Sequence, residues 1–270
     1  MSDDPILFSV HDGIAEVILN RPDKRNALNP EMLVRLARCW EAVSEDPIVR
    51  VAILSGAGEK TFCAGADLGR LTPLLMRTRP PEDEWDEALL GDPKILNRAM
   101  LRRTDFATPV IAAMRGAVVA GGMELALACD LRIVAEDSTL GLLEVSRGLI
   151  PAAGGVARLC RQVPSAVAAE ILLVGDRISA QEAWRAGLVN RVVPGAEVTQ
   201  TARALAARMA QNSPLAMRKA KEVMTASSGC SIAEAFAIED EAIKIVLRSA
   251  DAREGSRAFI EKRPANFTGQ

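Results

Sequence analysis

Hydrophobic and polar positions alternate with two rhythms along this chain. Apolar runs at 6–10 and 14–19 flank the turn pair Asp12-Gly13 and predict a β-hairpin. Asn29-Pro30 supplies a helix cap followed by proline at the first helical position. After it Leu33, Leu36, Ala37, Trp40 and Val43 recur at helical spacing, and Pro47 follows the end. The continuous apolar runs at 49–54 and 110–114 predict short strands buried on both faces. Further strands are predicted near 131–136, 138–142 and 188–193. Beyond about residue 155 the helical period dominates, with helices near 165–174, 179–186, 196–211, 214–227, 231–248 and 250–262. The order implies an α/β fold, with a core over 1–195 and a helical region over 196–270.

One segment breaks the rhythm. Residues 69–105 carry Pro73, Pro80, Pro81 and Pro93 and mixed charges over 82–87. Its 94–104 part fits a helix. The 77–92 part predicts a mobile excursion, either a solvated loop or a lid or wall beside a substrate tail.

Composition then narrows the chemistry. The chain has 270 residues, 49% of them hydrophobic, enough for a sizeable core. Its 33 basic and 35 acidic side chains give a net charge of −2, so no basic surplus points to nucleic acid. A single histidine, His11, stands at the predicted hairpin turn, which excludes a cluster of histidine metal ligands and disfavours a Ser-His-Asp triad. Absence of tyrosine removes the Tyr-Lys pair of short-chain dehydrogenases. Acid and base groups must therefore come from Asp, Glu, Lys or Cys. The five cysteines are scattered with no Cys-x-x-Cys, which suggests neither a zinc knuckle nor a disulfide framework. The acidic first residues do not resemble a targeting peptide, and no uninterrupted apolar stretch reaches 18 residues. The expectation is a cytoplasmic protein with no membrane span.

Three segments carry candidate chemistry. Residues 116–129 are apolar or glycine except Glu124, so a helix starting near Gly121 has no face for water. A carboxylate there is either paired with an arginine, such as Arg115 or Arg147, or is tuned by burial as an acid or base. Gly121-Gly122 at the helix start permits close packing, or exposes N–H groups to a carbonyl oxygen gaining charge. Phe62-Cys63-Ala64-Gly65-Ala66-Asp67-Leu68 follows a strand and offers small residues before a possible cap, Asp67. The preceding Gly56-x-Gly58 lacks the third glycine of a dinucleotide fingerprint, with Thr61 in its place, and no phosphate-cradling P-loop is present. Glu144 lies among apolar neighbours at a strand-to-loop transition; a surface glutamate, an ion pair with Arg147 and a catalytic group all fit it.

Together these segments resemble the enoyl-CoA hydratase/isomerase (crotonase) superfamily over nearly the whole chain. The resemblance runs from Asn20-Arg21-Pro22 and Asn26-Ala27-Leu28 through residues 62–68 and 109–130. It continues in Gly148-Leu149-Ile150-Pro151, Gly154-Gly155 and residues 173–180, and closes at Glu254-Gly255 and 258–263. It implies a spiral of repeated ββα units, C-terminal helices used in trimerisation, and trimers that pair into hexamers. It also implies an acyl-CoA thioester substrate with no metal or other cofactor, coenzyme A being part of the substrate. The matching positions place oxyanion N–H groups at Ala66 and Gly121, beside Gly122, and acid/base carboxyls at Glu124 and Glu144. Ala64, Asp67 and Leu68 fall in the stretch lining the coenzyme A path. Lys24, Arg25 and, from a neighbouring subunit, Phe259 and Lys262 are candidates for its nucleotide end.

Relatives that hydrate a double bond carry two glutamates, and both are present. Ala120 stands where many relatives have a third glycine, and Leu143 where proline is common before the second glutamate. The resemblance thus implies an enoyl-CoA hydratase, with Glu124 activating water and Glu144 delivering a proton. Alternatives are a specialised dehydratase of a substituted 3-hydroxyacyl-CoA, an enoyl-CoA isomerase, or a non-catalytic acyl-CoA-binding protein.

Overall fold

The computed structural model describes residues 4–103 and 105–270; the first three residues of the acidic N-terminus and residue 104, the predicted end of the 94–104 helix, lie outside them. The hairpin forms as β1 (Ile6–His11) and β2 (Ile14–Leu19), which pair antiparallel in register. Helix α1 (Pro30–Glu45) follows, with the Asn29 side chain accepting from Met32 N and eight buried residues along its apolar stripe. β3 (Val51–Gly56), β5 (Val110–Met114), β7 (Leu131–Ala135) and β10 (Arg191–Val193) then add in parallel, giving a six-stranded sheet of order β1-β2-β3-β5-β7-β10.

Of a second sheet the apolar rhythm showed only the strand predicted near 138–142. This sheet has the order β4 (Thr61–Cys63), β6 (Ala117–Val119), β8 (Thr139–Gly141), β9 (Ile178–Ser179). Each of β3, β5 and β7 leads into its own short strand here, so the chain climbs in repeated units between two sheets. β5, β6 and helix α5 (Gly121–Ala128) make the clearest ββα unit. The short strands have only two or three residues, too few for a period of two to show.

The main apolar core lies between these layers and α1, around Trp40, Phe62, Met32, Leu54 and Met114. The outer face of the large sheet is covered by α9 (Val198–Ala210), which buries Val198, Ala202 and Ala206 against Val51, Ile53, Ile111 and Ile133. The helix that opens the 196–270 region is therefore packed on the sheet itself. Beyond it α10 (Pro214–Ala226), α11 (Ile232–Leu247) and α12 (Ala250–Ile260) extend away, α11 burying none of its sixteen residues.

The 77–92 excursion corrects the sequence reading, because it is partly helical and anchored. It contains most of the turn after α2 (Leu71–Leu75) and all of α3 (Glu84–Gly91), and α4 (Lys94–Ala99) follows. Asp83 caps α3 by accepting from Trp85 N and Asp86 N. Asp86 is fully buried and accepts from both Arg79 Nη groups and from Glu82 N, while Arg70 bridges Glu82 and Asp83. The mixed charges therefore neutralise one another around a buried carboxylate. Ahead of α9, α6 (Gly155–Gln162), α7 (Ser165–Ala169) and α8 (Ala180–Arg185) complete the core side of the spiral, with a π-helical turn at Glu170–Val174.

Candidate active site

The site is assembled from the ends of short elements of the second sheet. β4 ends at Cys63, and the next residues cross toward the start of α5. Asn26 sets this loop: buried, it donates to the carbonyls of Ala57, Thr61 and Phe62 and accepts from Arg21 N. Leu28 N donates to Gly65 O and Asp67 N to Leu28 O, which leaves the intervening Ala66 N–H pointing away from that pairing. No acceptor among the described residues takes the N–H of Ala66 or of Gly121. The two lie close: a Cβ placed on Gly121 would stand 3.7 Å from Ala66 N and 3.3 Å from Gly65 Cα.

Gly65 makes that approach possible. Its φ is +86°, and a Cβ there would stand 2.7 Å from Ala120 Cβ and 2.9 Å from Gly121 N. Opposite it Ala120 has φ +51° and ψ −127°, an unusual conformation for a residue with a Cβ, held by its N–H bond to Gly141 O. α5 thus begins abruptly, with its first N–H groups and the positive end of its dipole at the site. Two free donors side by side suit an oxygen that gains negative charge.

Glu124 is on the first turn of α5, 4% exposed. Neither Arg115 nor Arg147 pairs with it; Arg115 meets Glu59, and Arg147 donates to Leu143 O. Instead Glu124 Oε1 accepts from Ala153 N at 2.7 Å and Gly155 N at 2.9 Å. Burial pushes its carboxyl above the ordinary range, while these N–H groups and the fields of Arg158 and Arg102 oppose that shift.

Glu144 opens a 3-10 turn, Glu144–Arg147, with two residues between it and the end of β8. It is half-buried, and its Oε2 is buried with no hydrogen-bond partner among the described residues. Burial pushes its carboxyl up to about 7, against its own backbone N–H, and the charge of Glu124 adds to the rise. The pair is thus asymmetric: one carboxyl is held by donors and overlooked by two guanidinium groups, the other is largely bare. Cys63 is no nucleophile here, since complete burial pushes its thiol up to about 12.

The remaining candidates divide. Asp67 is occupied structurally, its carboxylate bound by Arg21 at 3.1 Å and by the N–H groups of Gly69 and Arg70. Ala64 is half-buried and Leu68 is 61% exposed beside it, while Gly122 is buried against Cys63. Lys24 and Arg25 are exposed on the 3-10 turn that leads into the Asn26 loop. Phe259 and Lys262 are exposed at the end of α12, in the peripheral helical region, and join the others only if another subunit brings them. Sequence reasoning missed the N–H groups of Ala153 and Gly155, because backbone donors have no residue signature. The Gly154-Gly155 pair was their nearest trace.

The sequence model of the enoyl-CoA hydratase/isomerase family matches residues 9–270. Carnitinyl-CoA dehydratase of Proteus mirabilis is 38% identical, over 97% of this chain and 98% of its own. (E)-benzylidenesuccinyl-CoA hydratase of Thauera aromatica is 36% identical, over 98% of this chain and 99% of its own. The crystal structure of an enoyl-CoA hydratase from Bacillus anthracis superposes with a TM-score of 0.89 at 36% identity, covering 98% of this chain and all of that one. The chain belongs to the enoyl-CoA hydratase/isomerase family, and its fold is the crotonase fold.

Proposed function

We propose that this protein is an enoyl-CoA hydratase that adds water reversibly across the 2,3 double bond of an enoyl-CoA thioester. The observation that carries the reading is the asymmetric pair of glutamates beside two unclaimed N–H groups. Ala66 and Gly121 N–H receive the thioester oxygen. The Glu124 carboxylate takes a proton from water as the water oxygen bonds to C3. The π electrons move toward C1, giving enolate character that the two N–H groups stabilise. The protonated Glu144 carboxyl then gives its proton to C2, and a proton passing from Glu124 to Glu144 restores the starting state.

Both carboxyls suit these parts. A value of about 7 keeps much of Glu144 protonated at neutral pH, as a donor requires. Glu124 is held by two N–H donors, which oppose the rise that burial imposes on its carboxyl. In this reading Lys24 and Arg25, both exposed, meet the phosphates of coenzyme A, and Ala64, Asp67 and Leu68 line its path. Phe259 and Lys262 of a second copy complete that end in a trimer or dimer of trimers.

A second reading, specialisation for a substituted acyl chain, draws on the anchored 69–103 segment. Exposed Leu75 and Met76 follow Leu68 there, downstream of the Ala66 N–H. The similarity to a dehydratase and a hydratase of substituted acyl-CoA names also favours it.

Loss of the conjugated absorbance of short, medium, branched and aromatic 2-enoyl-CoAs tests both readings and ranks the chains. Glu124→Gln and Glu144→Gln are each expected to lower turnover about 10²–10⁴-fold, with acyl-CoA affinity nearly unchanged. Full turnover in either variant overturns the mechanism.

A further inference from the structure

Arg158, on α6, is a half-buried cation without a carboxylate. No ion pair reaches it among the described residues, and its guanidinium bonds to two carbonyls instead. Nη1 donates to Ala153 O at 3.1 Å and Nη2 donates to Leu101 O. Desolvating a guanidinium without a counter-ion is costly, so its position calls for a physical reason.

The reason lies one turn away. Ala153 and Gly155 are the residues whose N–H groups hold Glu124 Oε1, and Arg158 grips the carbonyl of the first of them. The turn between them is built around the guanidinium: Gly154 has φ +104°, and a Cβ there would stand 2.6 Å from Arg158 Nη1. Leu101, whose carbonyl takes the other nitrogen, is itself in the left-handed region at φ +47° and is buried. It ends the helical segment that follows the anchored excursion. One side chain therefore joins the glutamate's cradle to the segment beside it.

Charged and titratable groups face Glu124 from several elements. Arg158 comes from α6, Arg102 from the chain after α4, and Glu144 and Arg147 from the 3-10 turn. Cys129, Asp130 and Arg132 lie at the far end of α5, where Arg132 binds the carbonyls of Ala126 and Cys129. Arg102 and Arg147 are exposed, so water screens them. Arg158 is the partly buried cation on the Glu124 side.

We propose that Arg158 is the positioning residue of Glu124: it fixes the 153–155 turn whose N–H groups hold the carboxylate, and it sets a positive charge on that side of it. The inference rests on the hydratase reading for its catalytic consequence, while the hydrogen bonds and the charge are independent of it. Loss of the charge and of the carbonyl grip frees Glu124 to reorient and to take up a proton more readily.

Arg158→Met and Arg158→Gln, in the full-length protein, test this against wild type and Arg158→Lys. With the enoyl-CoA that wild type hydrates best, both neutral variants are expected to lose about 10- to 100-fold in kcat, with KM nearly unchanged. The acid limb of kcat/KM is expected to move up by about one pH unit, and lysine to restore most of both quantities. Arg158→Gln keeps a donor for one carbonyl and serves where the methionine variant does not fold. A carboxyl 13C NMR titration, with Glu124→Gln identifying the Glu124 signal, reads the same shift without turnover. A folded neutral variant with an unmoved Glu124 titration and acid limb overturns the positioning role, even where it is less stable. Wild type that hydrates no enoyl-CoA while the Glu124 titration shifts in the variant overturns the hydratase reading instead.

Discussion

At the scale of single residues, burial without compensation is what separates Glu144 from an ordinary glutamate. Its carboxyl sits at about 7 against 4.5 for an exposed one, so between these values the folded chain binds more protons than the unfolded chain. Stability must then fall as pH rises through that window. Glu144→Gln removes the titrating group, so its unfolding free energy relative to wild type is expected to improve from about pH 5 to pH 8 in urea titrations. Parallel curves would show that the carboxyl is not perturbed. Gly65 has the opposite importance, since what matters there is absence of a side chain. Gly65→Ala puts a Cβ onto Ala120 and Gly121 N and strains φ, so the two N–H groups must part. A fall of about 10² or more in kcat is expected in a variant with native circular dichroism; an unchanged kcat would remove Gly65 from the donor geometry. Glu124 was legible in the sequence because one charge in an otherwise apolar helix has no face for water. Its partners were not, because they are backbone groups made available by a turn 29 and 31 residues away.

At the scale of elements, periodicity carried the long helices and the hairpin and failed for short pieces. α1, α9, α10, α11 and α12 lie within a few residues of their predicted bounds, since each presents several turns of pattern or a strong cap. Of the four-stranded sheet only β8 was predicted, near 138–142; the other strands escaped because none of the four exceeds three residues. The 77–92 stretch was misread because its charges looked solvated, whereas Asp86 turns inward and draws Arg79 onto it. Arg79 holds the Asp86 carboxyl below the ordinary range, so this support is present above that range and fades as pH falls through the folded value. Asp86→Asn is expected to speed amide exchange across α2 and α3 while the six-stranded sheet keeps its protection. Unchanged exchange would mean that Leu71, Leu74 and Leu89 hold the segment without the ion cluster.

At the scale of the whole molecule, the C-terminal helices stand apart from the rest. Lys221 of α10 ties them to the core through Asp130 at 2.8 Å and Thr108 O at 2.8 Å. Beyond that tie, Ile232, Phe236, Leu247, Phe259 and Ile260 are all more than half exposed. An apolar surface of this kind fits the proposed assembly of copies. Light scattering coupled to size-exclusion chromatography is expected to show a trimer or a dimer of trimers, and Phe236→Asp to shift it toward smaller species. A monomeric wild type would overturn that assembly and the placement of Phe259 and Lys262 at a neighbour's site.

The sequence by itself determined the chemistry available to this protein. With one histidine and no tyrosine, carboxyls and backbone amides were left to act, and two glutamates in apolar settings stood out. It determined the long helices and buried strands too, because their periods are local properties of the chain. Tertiary structure decided what those groups can do. It set the Ala66 and Gly121 N–H groups side by side, gave Glu124 two donors and left Glu144 Oε2 bare. These are relations between segments far apart in the chain, and side-chain pattern does not encode where a backbone N–H is left without a partner.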